Sequence, residues 1–343
     1  MNKGKETSKK LIIWLLVLLF LPFTQSCEDE VDAFVEGDPV AIVYCLLNPF
    51  DSVQYVRINR TYLSEEGTEG FPSTSDSIYF MEDIQVSIER WEDNEVKETI
   101  IFEKYEGKPK DSGNFPNDKS ILYRAEGKIY TQSKYILYLY MTESENIIQA
   151  EATTIGDLVI IDPFPIPERK VTLSSIQDYT IRWDLSPEAW IYQTAVRFNY
   201  DEINGEDTLR KSFDWMLNIS QPDFQKREYV SARINGSKFF QILVQNIEEN
   251  TSVKRKAVDL DFIFYYGGVE LRFYVESISP STTVLQEKPS FTNFTNAEGI
   301  FSSLAKKEIL SIQLSNIMID SIAHSSVSRN LSFVDHLDSL YIK

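Results

Sequence analysis

The sequence LDFIFYYGGVELRFYVES, at residues 260–277, carries the strongest local indication of the fold. Two apolar runs flank Gly267-Gly268, and glycine readily adopts the positive φ that a two-residue hairpin turn requires. The pattern predicts a β-hairpin with strands at 260–266 and 269–277. Because both runs are apolar at nearly every position, we expect this hairpin at the centre of a sandwich, with both faces covered.

Period-two alternation of apolar residues predicts strands along the rest of the chain. In the first half, the predicted hairpins pair 40–47 with 52–59, 84–91 with 96–102, and 135–141 with 147–154. In the second half, strands are predicted at 179–183, 193–200 and 208–215, with a turn at Asn204-Gly205. Apolar residues at helical spacing predict helices at 238–248 and 315–323.

A proline-rich stretch divides the chain. Residues 162–168 read DPFPIPE, and proline at every second position removes backbone donors and stiffens the chain. We therefore predict an N-terminal β-sandwich domain at 38–161, a Pro-rich linker at 162–170, a second β-sandwich domain with a short helix at 171–303, and a C-terminal segment at 304–343. The predicted fold class is mainly β, with two antiparallel, immunoglobulin-like β-sandwich domains in series and one or two short helices.

The N-terminus has the pattern of an export signal. Four lysines precede an apolar run at 11–23, which is shorter than the roughly 20 residues of a bilayer-spanning helix. Ser26-Cys27 then resembles a lipobox, which implies cleavage after residue 26 and fatty acylation of Cys27. We predict a signal peptide at 1–26, lipidation at Cys27 and an acidic tether at 27–37. An ordinary secretory signal with an incidental cysteine, and an uncleaved anchor, remain alternatives.

The charge balance is strongly acidic. The chain has 34 basic and 52 acidic residues, and loss of residues 1–26, with four lysines and one glutamate, leaves 30 and 51, a net charge of about −21. Such a chain repels nucleic acid and anionic headgroups, so no nucleic-acid partner is expected. Cys45 is the one cysteine besides Cys27, which excludes an intramolecular disulfide framework, and its apolar surroundings predict a buried thiol.

Catalytic and cofactor motifs are missing from the sequence. Its two histidines, His324 and His336, fit no HExxH motif or zinc spacing, and we interpret both as surface or loop residues. No GxSxG elbow, P-loop or GxGxxG motif occurs. We therefore expect no enzyme activity, no catalytic residue, no cofactor and no metal.

Three other groups of residues invite a functional interpretation. The acidic cluster at 201–207 has the oxygen ligands that calcium prefers, but a solvated hairpin tip is favoured. The basic run Lys254-Arg255-Lys256 fits an acidic partner, but a solvated loop between helix and strand is favoured. The third group is a set of aromatic residues that suits a sugar-stacking platform or, by preference, a sandwich core: Trp183, Trp190, Tyr192 and Trp215.

Several segments together resemble a known family. These are the lipobox with Glu28, Asp29, Glu30 and Asp32 after it, the strand pair at 43–63, the segment at 129–155 and the segment at 289–303. They resemble the Bacteroidota outer-membrane lipoproteins grouped as domain of unknown function 4249, and the acidic run resembles the export signal for the outer face of the outer membrane. A solvated tether is the alternative for that run. In the late segment, Asn296, Gly299 and Phe301 match the family pattern, and Asn296 and Gly299 suit positive φ.

The resemblance implies a partner of TonB-dependent transporters and offers no catalytic residues. We expect a lipid-anchored outer-membrane protein, exposed at the cell surface, that acts as a non-enzymatic binding or accessory component in nutrient uptake. An extracellular carboxylate-dependent glycan hydrolase and a structural adhesin or assembly factor are the alternatives.

Overall fold

Strands make up most of the computed structural model, which describes residues 39–61, 78–107, 120–164, 166, 168–221, 229–279 and 291–341. The predicted signal peptide at 1–26, Cys27 and the predicted acidic tether at 27–37 lie outside the described residues. The first-half strands are β1 (Ala41–Leu47), β2 (Val53–Arg60), β3 (Ile84–Glu92), β4 (Glu95–Glu106), β5 (Ile121–Glu126), β6 (Lys134–Met141) and β7 (Asn146–Thr153).

The second half contains the remaining strands and the helices. The strands are β8 (Ile160–Asp162), β9 (Lys170–Val171), β10 (Tyr179–Asp184), β11 (Ile191–Asn204), β12 (Asp207–Met216), β13 (Tyr229–Ile234), β14 (Lys254–Gly267), β15 (Phe294–Thr295) and β16 (Ala297–Leu314). The described α-helices are α1 (Gly236–Asn246), α2 (Val269–Ile278) and α3 (Asn316–His324). No helix of the described residues is long and apolar enough to cross a bilayer.

One mixed sheet joins most of these strands. The described residues form a 13-stranded sheet in the order β12-β11-β14-β16-β1-β2-β5-β4-β3-β6-β7-β15, with β9 also on β16, and a 3-stranded sheet in the order β13-β10-β8. The mainly β class is confirmed. The prediction of two separate immunoglobulin-like sandwiches is wrong, because the long strand β16 pairs with β1 in its first part and with β14 in its second.

Two hydrophobic cores nevertheless lie along this sheet. The first is built mainly from strands β1 to β7, and Phe294, Ala297 and Phe301 complete it from the late part of the chain. The second lies among β8 to β14, the second part of β16, α1 and α3. Because β16 contributes side chains to both cores, it fixes the position of one core relative to the other.

Local patterns predicted most elements correctly. The three predicted first-half hairpins are present as β1–β2, β3–β4 and β6–β7, and β11–β12 turns at Asn204-Gly205 as expected. The helix predicted at 238–248 is α1, whose N-cap Asn235 accepts a hydrogen bond from the Lys238 N–H. The helix predicted at 315–323 is α3, which begins after its cap Ser315.

The hairpin predicted around Gly267-Gly268 is wrong. Strand β14 ends at Gly267, and the following residues form helix α2. Gly268 has an extended backbone at φ −69°, so the pair does not supply positive φ. Both glycines instead allow close approach to β16, since a Cβ would lie 3.0 Å from the Ser303 carbonyl oxygen at Gly267 and 3.0 Å from the Ser302 hydroxyl at Gly268.

Candidate binding groove

An open groove of about 420 Å³ lies where the two parts of the large sheet meet. Strand β1 ends at Leu47, opposite Ser303, and β16 continues beyond that point along β14. Strands β1, β2 and β5 form one side of the groove, while Tyr265 of β14 and the segment 304–306 of β16 form the other. The groove therefore exists because β16 runs through both parts of the sheet.

Tyrosine and apolar side chains line most of the groove. Tyr44, Tyr55 and Tyr265 contribute aromatic rings, and the apolar lining is Leu46, Val53, Leu122, Leu304 and Ala305. Tyr44 also contacts helix α2, because its ring meets the Tyr274 ring edge-on at a centroid distance of 6.2 Å. The two hydroxyl oxygens are 3.3 Å apart. Burial, and then the hydrogen bond with Tyr274, raises the pKa of Tyr44 to about 12.

The tyrosines continue beyond the groove across the outer face of β2, β5 and β4. The Tyr55 and Tyr105 rings lie 6.3 Å apart, and the Arg124 guanidinium lies 6.0 Å from the Tyr105 ring centre. Tyr44, Tyr55 and Tyr105 are 37%, 44% and 42% exposed. We call Tyr44, Tyr55, Arg57, Tyr105 and Arg124 the tyrosine face.

A buried glutamine holds the rim of the groove. Gln54 Nε2 donates to the carbonyl oxygens of Asn48 and Asp51, each at 2.9 Å, and its Oε1 accepts from the Asn48 N–H at 2.9 Å. Both the amide nitrogen and the amide oxygen of Gln54 therefore bond to the backbone of the β1–β2 turn and stabilise it. The predicted hairpin of 40–47 with 52–59 is therefore closed by a turn at 48–51, which places Asp51 beside the groove.

The aromatic residues that the sequence nominated as a sugar platform lie elsewhere. Trp183, Tyr192 and Trp215 are buried in the second core, as the preferred interpretation predicted. Trp190 is half-buried, and the Arg272 guanidinium lies 6.0 Å from its ring centre. The structure does not bring the four residues together on an exposed surface.

The acidic cluster at 201–207 closes the β11–β12 hairpin. Asn204 pairs with Asp207, and Gly205 between them has φ +64°. Asp201 Oδ1 accepts from Arg210 at 2.6 Å and Glu202 Oε1 from Lys211 at 2.6 Å, so two of its carboxylates already have cationic partners. Within the described ranges, no group of three or more His, Cys, Asp or Glu residues is arranged to hold a metal ion.

The prediction of a solvated basic loop at 254–256 is wrong, because the run begins strand β14. Arg255 is 3% exposed, and its Nη2 lies 2.7 Å from Glu202 Oε2. The flanking lysines reach the end of the chain, with Lys254 3.5 Å from Asp338 and Lys256 2.7 Å from the Leu340 carbonyl oxygen. The run holds the C-terminal segment in place.

Each histidine pairs with an aspartate, and the two pairs join helix α3 to the segment at 335–336. His324 at the end of α3 lies 3.2 Å from Asp335, and His336 lies 2.6 Å from Asp320 within α3. Burial pushes the pKa of Asp320 upward, but the hydrogen bonds from His336 outweigh it and hold that pKa below its usual range. Neither histidine lines the groove.

Three other predicted residues have structural roles. Cys45 is buried in the first core, as predicted, and desolvation raises the pKa of its thiol. Asn296 and Gly299 have φ +59° and +112°, which confirms the expected positive φ at both positions. Gly299, however, lies within strand β16, where it packs against the Val43 backbone.

Glu270 is the described carboxyl group whose pKa is raised. It lies in the first turn of α2, and its desolvation is the main cause. The Ser302 hydroxyl donates to its Oε2 at 2.9 Å, so the carboxylate packs against β16 and does not line the groove. Glycoside hydrolysis requires two carboxyl groups that face each other across a cleft. Glu270, packed against β16, does not face a partner carboxyl group across the groove.

Sequence reasoning did not identify the groove or the tyrosine face. One available signal was the alternation in VQYVRINR of β2, where Tyr55 and Arg57 point outward and Val56 and Ile58 point into the core.

No protein-family model matches this chain, and no curated protein sequence is significantly similar to it.

Proposed function

We propose that this chain is an exported lipoprotein of the outer membrane, anchored through Cys27 and exposed at the cell surface. It acts as a non-enzymatic binding or accessory component beside a TonB-dependent transporter in nutrient uptake. The export signal, the lipobox and the resemblance to domain of unknown function 4249 support the location and the class of partner.

The tyrosine face is the observation that carries the binding role. Tyrosine and arginine are enriched at protein interfaces, and they are common among the few residues that supply most of the binding energy. The face is continuous with an apolar groove, and contiguous exposed apolar surface often marks an interaction site. Neither feature is needed by the first core, which is filled from the opposite faces of the same strands.

Affinity capture from outer membranes tests the proposal. The full lipidated chain, purified with an affinity tag, is mixed with detergent-solubilised outer membranes of the source organism, and captured proteins are identified by mass spectrometry. We expect a TonB-dependent receptor to be captured and Tyr55→Ala to reduce its recovery at least fivefold.

A second tyrosine provides the matched control. Tyr229 in β13 is 44% exposed, as Tyr55 is, but it lies on the small sheet. Tyr229→Ala should retain the receptor. Capture of an adhesion partner in place of a receptor would favour the adhesin alternative. Equal losses of receptor recovery in Tyr55→Ala and Tyr229→Ala would show that the tyrosine face does not bind the receptor specifically.

A further inference from the structure

Arg57 occupies a distinctive position in the tyrosine face. It lies directly opposite Tyr44 in the β1–β2 pairing, two residues after Tyr55 on the same outward face. Its side chain is exposed and lines the groove. The guanidinium is therefore presented between two tyrosines at the edge of an apolar surface.

The charges around Arg57 leave it available to a ligand. Arg124 on the same face already pairs with Glu126, whereas Arg57 forms no ion pair with any residue that the structure describes. Lys306 across the groove is 3.1 Å from Glu308. Asp51, the acidic residue of the groove lining, accepts the Val53 N–H. The acidic Glu298 also lies near Tyr44, so the feature that a ligand can use is the unpaired Arg57 guanidinium and not a net positive charge of the groove.

The polar side chains of the groove are mostly committed to the rim. The amide oxygen and nitrogen of Gln54 both bond to the backbone of the β1–β2 turn. Asn48 Oδ1 accepts the Phe50 N–H at 3.0 Å. Few polar side chains remain to satisfy the many hydroxyl groups of a sugar, and unsatisfied polar groups are costly to bury. The apolar lining and the single available guanidinium fit a ligand with one carboxylate beside an apolar or aromatic group.

We propose that the groove binds an acidic segment of a protein partner. An Asp or Glu carboxylate of the segment pairs with Arg57, where a guanidinium can form two parallel hydrogen bonds. A neighbouring aromatic or aliphatic side chain of the segment packs between Tyr55 and Leu46. This inference rests on the proposed binding role and adds the chemistry of the partner.

Fluorescence anisotropy with a labelled copolymer of glutamate and tyrosine tests this chemistry on the full chain in detergent. We expect saturable binding that weakens with added salt, because the net negative charge of the protein opposes nonspecific binding of an acidic polymer. Arg57→Glu should weaken binding about tenfold or more, and Arg57→Lys should retain an intermediate affinity, since lysine keeps the charge without the planar fork.

Arg182→Glu is the matched control for the change in total charge. Arg182 in β10 is also exposed and forms no ion pair within the described part of the chain, so this variant should bind within about twofold of the parent. Thermal unfolding of each variant checks that the fold is retained. Equal losses in Arg57→Glu and Arg182→Glu, or no binding by the parent chain, would overturn the inference.

A second polymer distinguishes a glycan ligand. Polygalacturonate carries carboxylates on sugar rings, and tighter binding of this polymer than of the glutamate–tyrosine copolymer would assign the groove to an acidic glycan. If Tyr55→Ala loses the captured receptor while Arg57→Glu keeps it, the acidic-segment inference fails and the proposed function stands. If the copolymer binds through Arg57 but no receptor is captured, the proposed partner fails and the chemistry of the groove stands.

Discussion

Gly299 in β16 packs directly against the backbone of Val43 in β1, its partner in the parallel pairing. A Cβ at position 299 would overlap the Val43 carbonyl oxygen and lie 2.8 Å from the carbonyl carbon. This contact sits where the late strand enters the first core, so the close approach of the two strands depends on the missing side chain.

Gly299→Ala should therefore destabilise the fold strongly. The φ of +112° disfavours any L side chain, at a cost of about 1–2 kcal/mol, and the overlap with Val43 adds to it. Gly205→Ala is the control, because Gly205 also has positive φ but has nothing within 4 Å of its Cβ position. Urea unfolding should give a clearly larger loss for Gly299→Ala, and similar losses would argue against the packing explanation.

The buried ion pair between Arg255 and Glu202 should also be sensitive to substitution. Arg255 donates to Glu202 Oε2 from Nε at 3.0 Å and to the Leu331 carbonyl oxygen from Nη1 at 2.7 Å. Removing one member of a fully buried pair costs about 3–5 kcal/mol. Glu202 is half-buried and keeps Lys211 as a partner, so Arg255→Met should lower the free energy of unfolding by less, about 2–3 kcal/mol. It should also expose the C-terminal segment to proteases.

Arg210→Met provides the comparison for Arg255→Met. Arg210 pairs with Asp201 on the same hairpin, but its side chain is 57% exposed, and exposed pairs contribute about 0–1 kcal/mol. Urea unfolding measures both variants. A loss of less than about 1 kcal/mol in Arg255→Met would contradict a stabilising role for the buried pair.

Glu202 gives the fold a dependence on acid pH. The Lys211 ammonium and then the Arg255 guanidinium hold the pKa of Glu202 below its usual range. A carboxyl whose pKa is lower in the folded chain stabilises it above the unfolded pKa, about 4.3 for Glu, and this stabilisation is lost as the pH falls through the folded pKa. Glu202→Gln should therefore lose less stability than the parent as the pH is lowered from about 5 towards 3.

Glu206→Gln controls for the loss of a negative charge in the same hairpin. Glu206 is exposed at the tip and has no ion pair among the described side chains. The stability of the Glu206→Gln variant should fall as steeply as that of the parent when the pH is lowered. Urea unfolding at several pH values measures this dependence. An equally shallow dependence in both glutamine variants would rule out a specific contribution from Glu202.

Much of the fold followed from local sequence patterns, and the larger arrangement did not. The hairpins β1–β2 and β3–β4 join neighbouring segments, so alternation and turn residues were enough to predict them. The β1–β16 pairing is different, because the Ser303 hydroxyl bonds the Leu47 carbonyl oxygen across 256 positions. No local pattern specifies that partner, and the two-sandwich prediction failed there.

The errors at Gly267-Gly268 and at 254–256 share a physical cause. Glycine suits both positive φ and close packing, and Arg255 suits both solvent and a buried pair with Glu202. The alternative that holds depends on the residues that pack against each position in the folded chain, such as Ser303 against Gly267. The tyrosine face was missed because the β2–β5 pairing, which places Tyr55 opposite Arg124, joins strands that are distant in sequence.

Cys45 should be unreactive in the folded chain. It is 1% exposed, and burial raises the pKa of its thiol, while the thiolate is the reactive form. In the Cys27→Ser variant, which keeps Cys45 as its remaining thiol, we expect no modification by a thiol reagent at pH 8 and complete modification in urea. Rapid labelling of the folded variant would show that the first core opens at β1.

The membrane anchor makes the most direct prediction about location. If Cys27 carries acyl chains, each buried methylene contributes about 0.8 kcal/mol to membrane binding, and the chains together hold the protein on the bilayer. Cys27→Ala removes the thiol that accepts the lipid, so the protein should disappear from the outer-membrane fraction, whether it becomes soluble or stays at the inner membrane as unprocessed precursor. Cys45→Ala changes the other cysteine without touching the proposed anchor and should stay in the outer-membrane fraction. Equal recovery of Cys27→Ala and Cys45→Ala in the outer-membrane fraction would mean that some other segment holds the chain there.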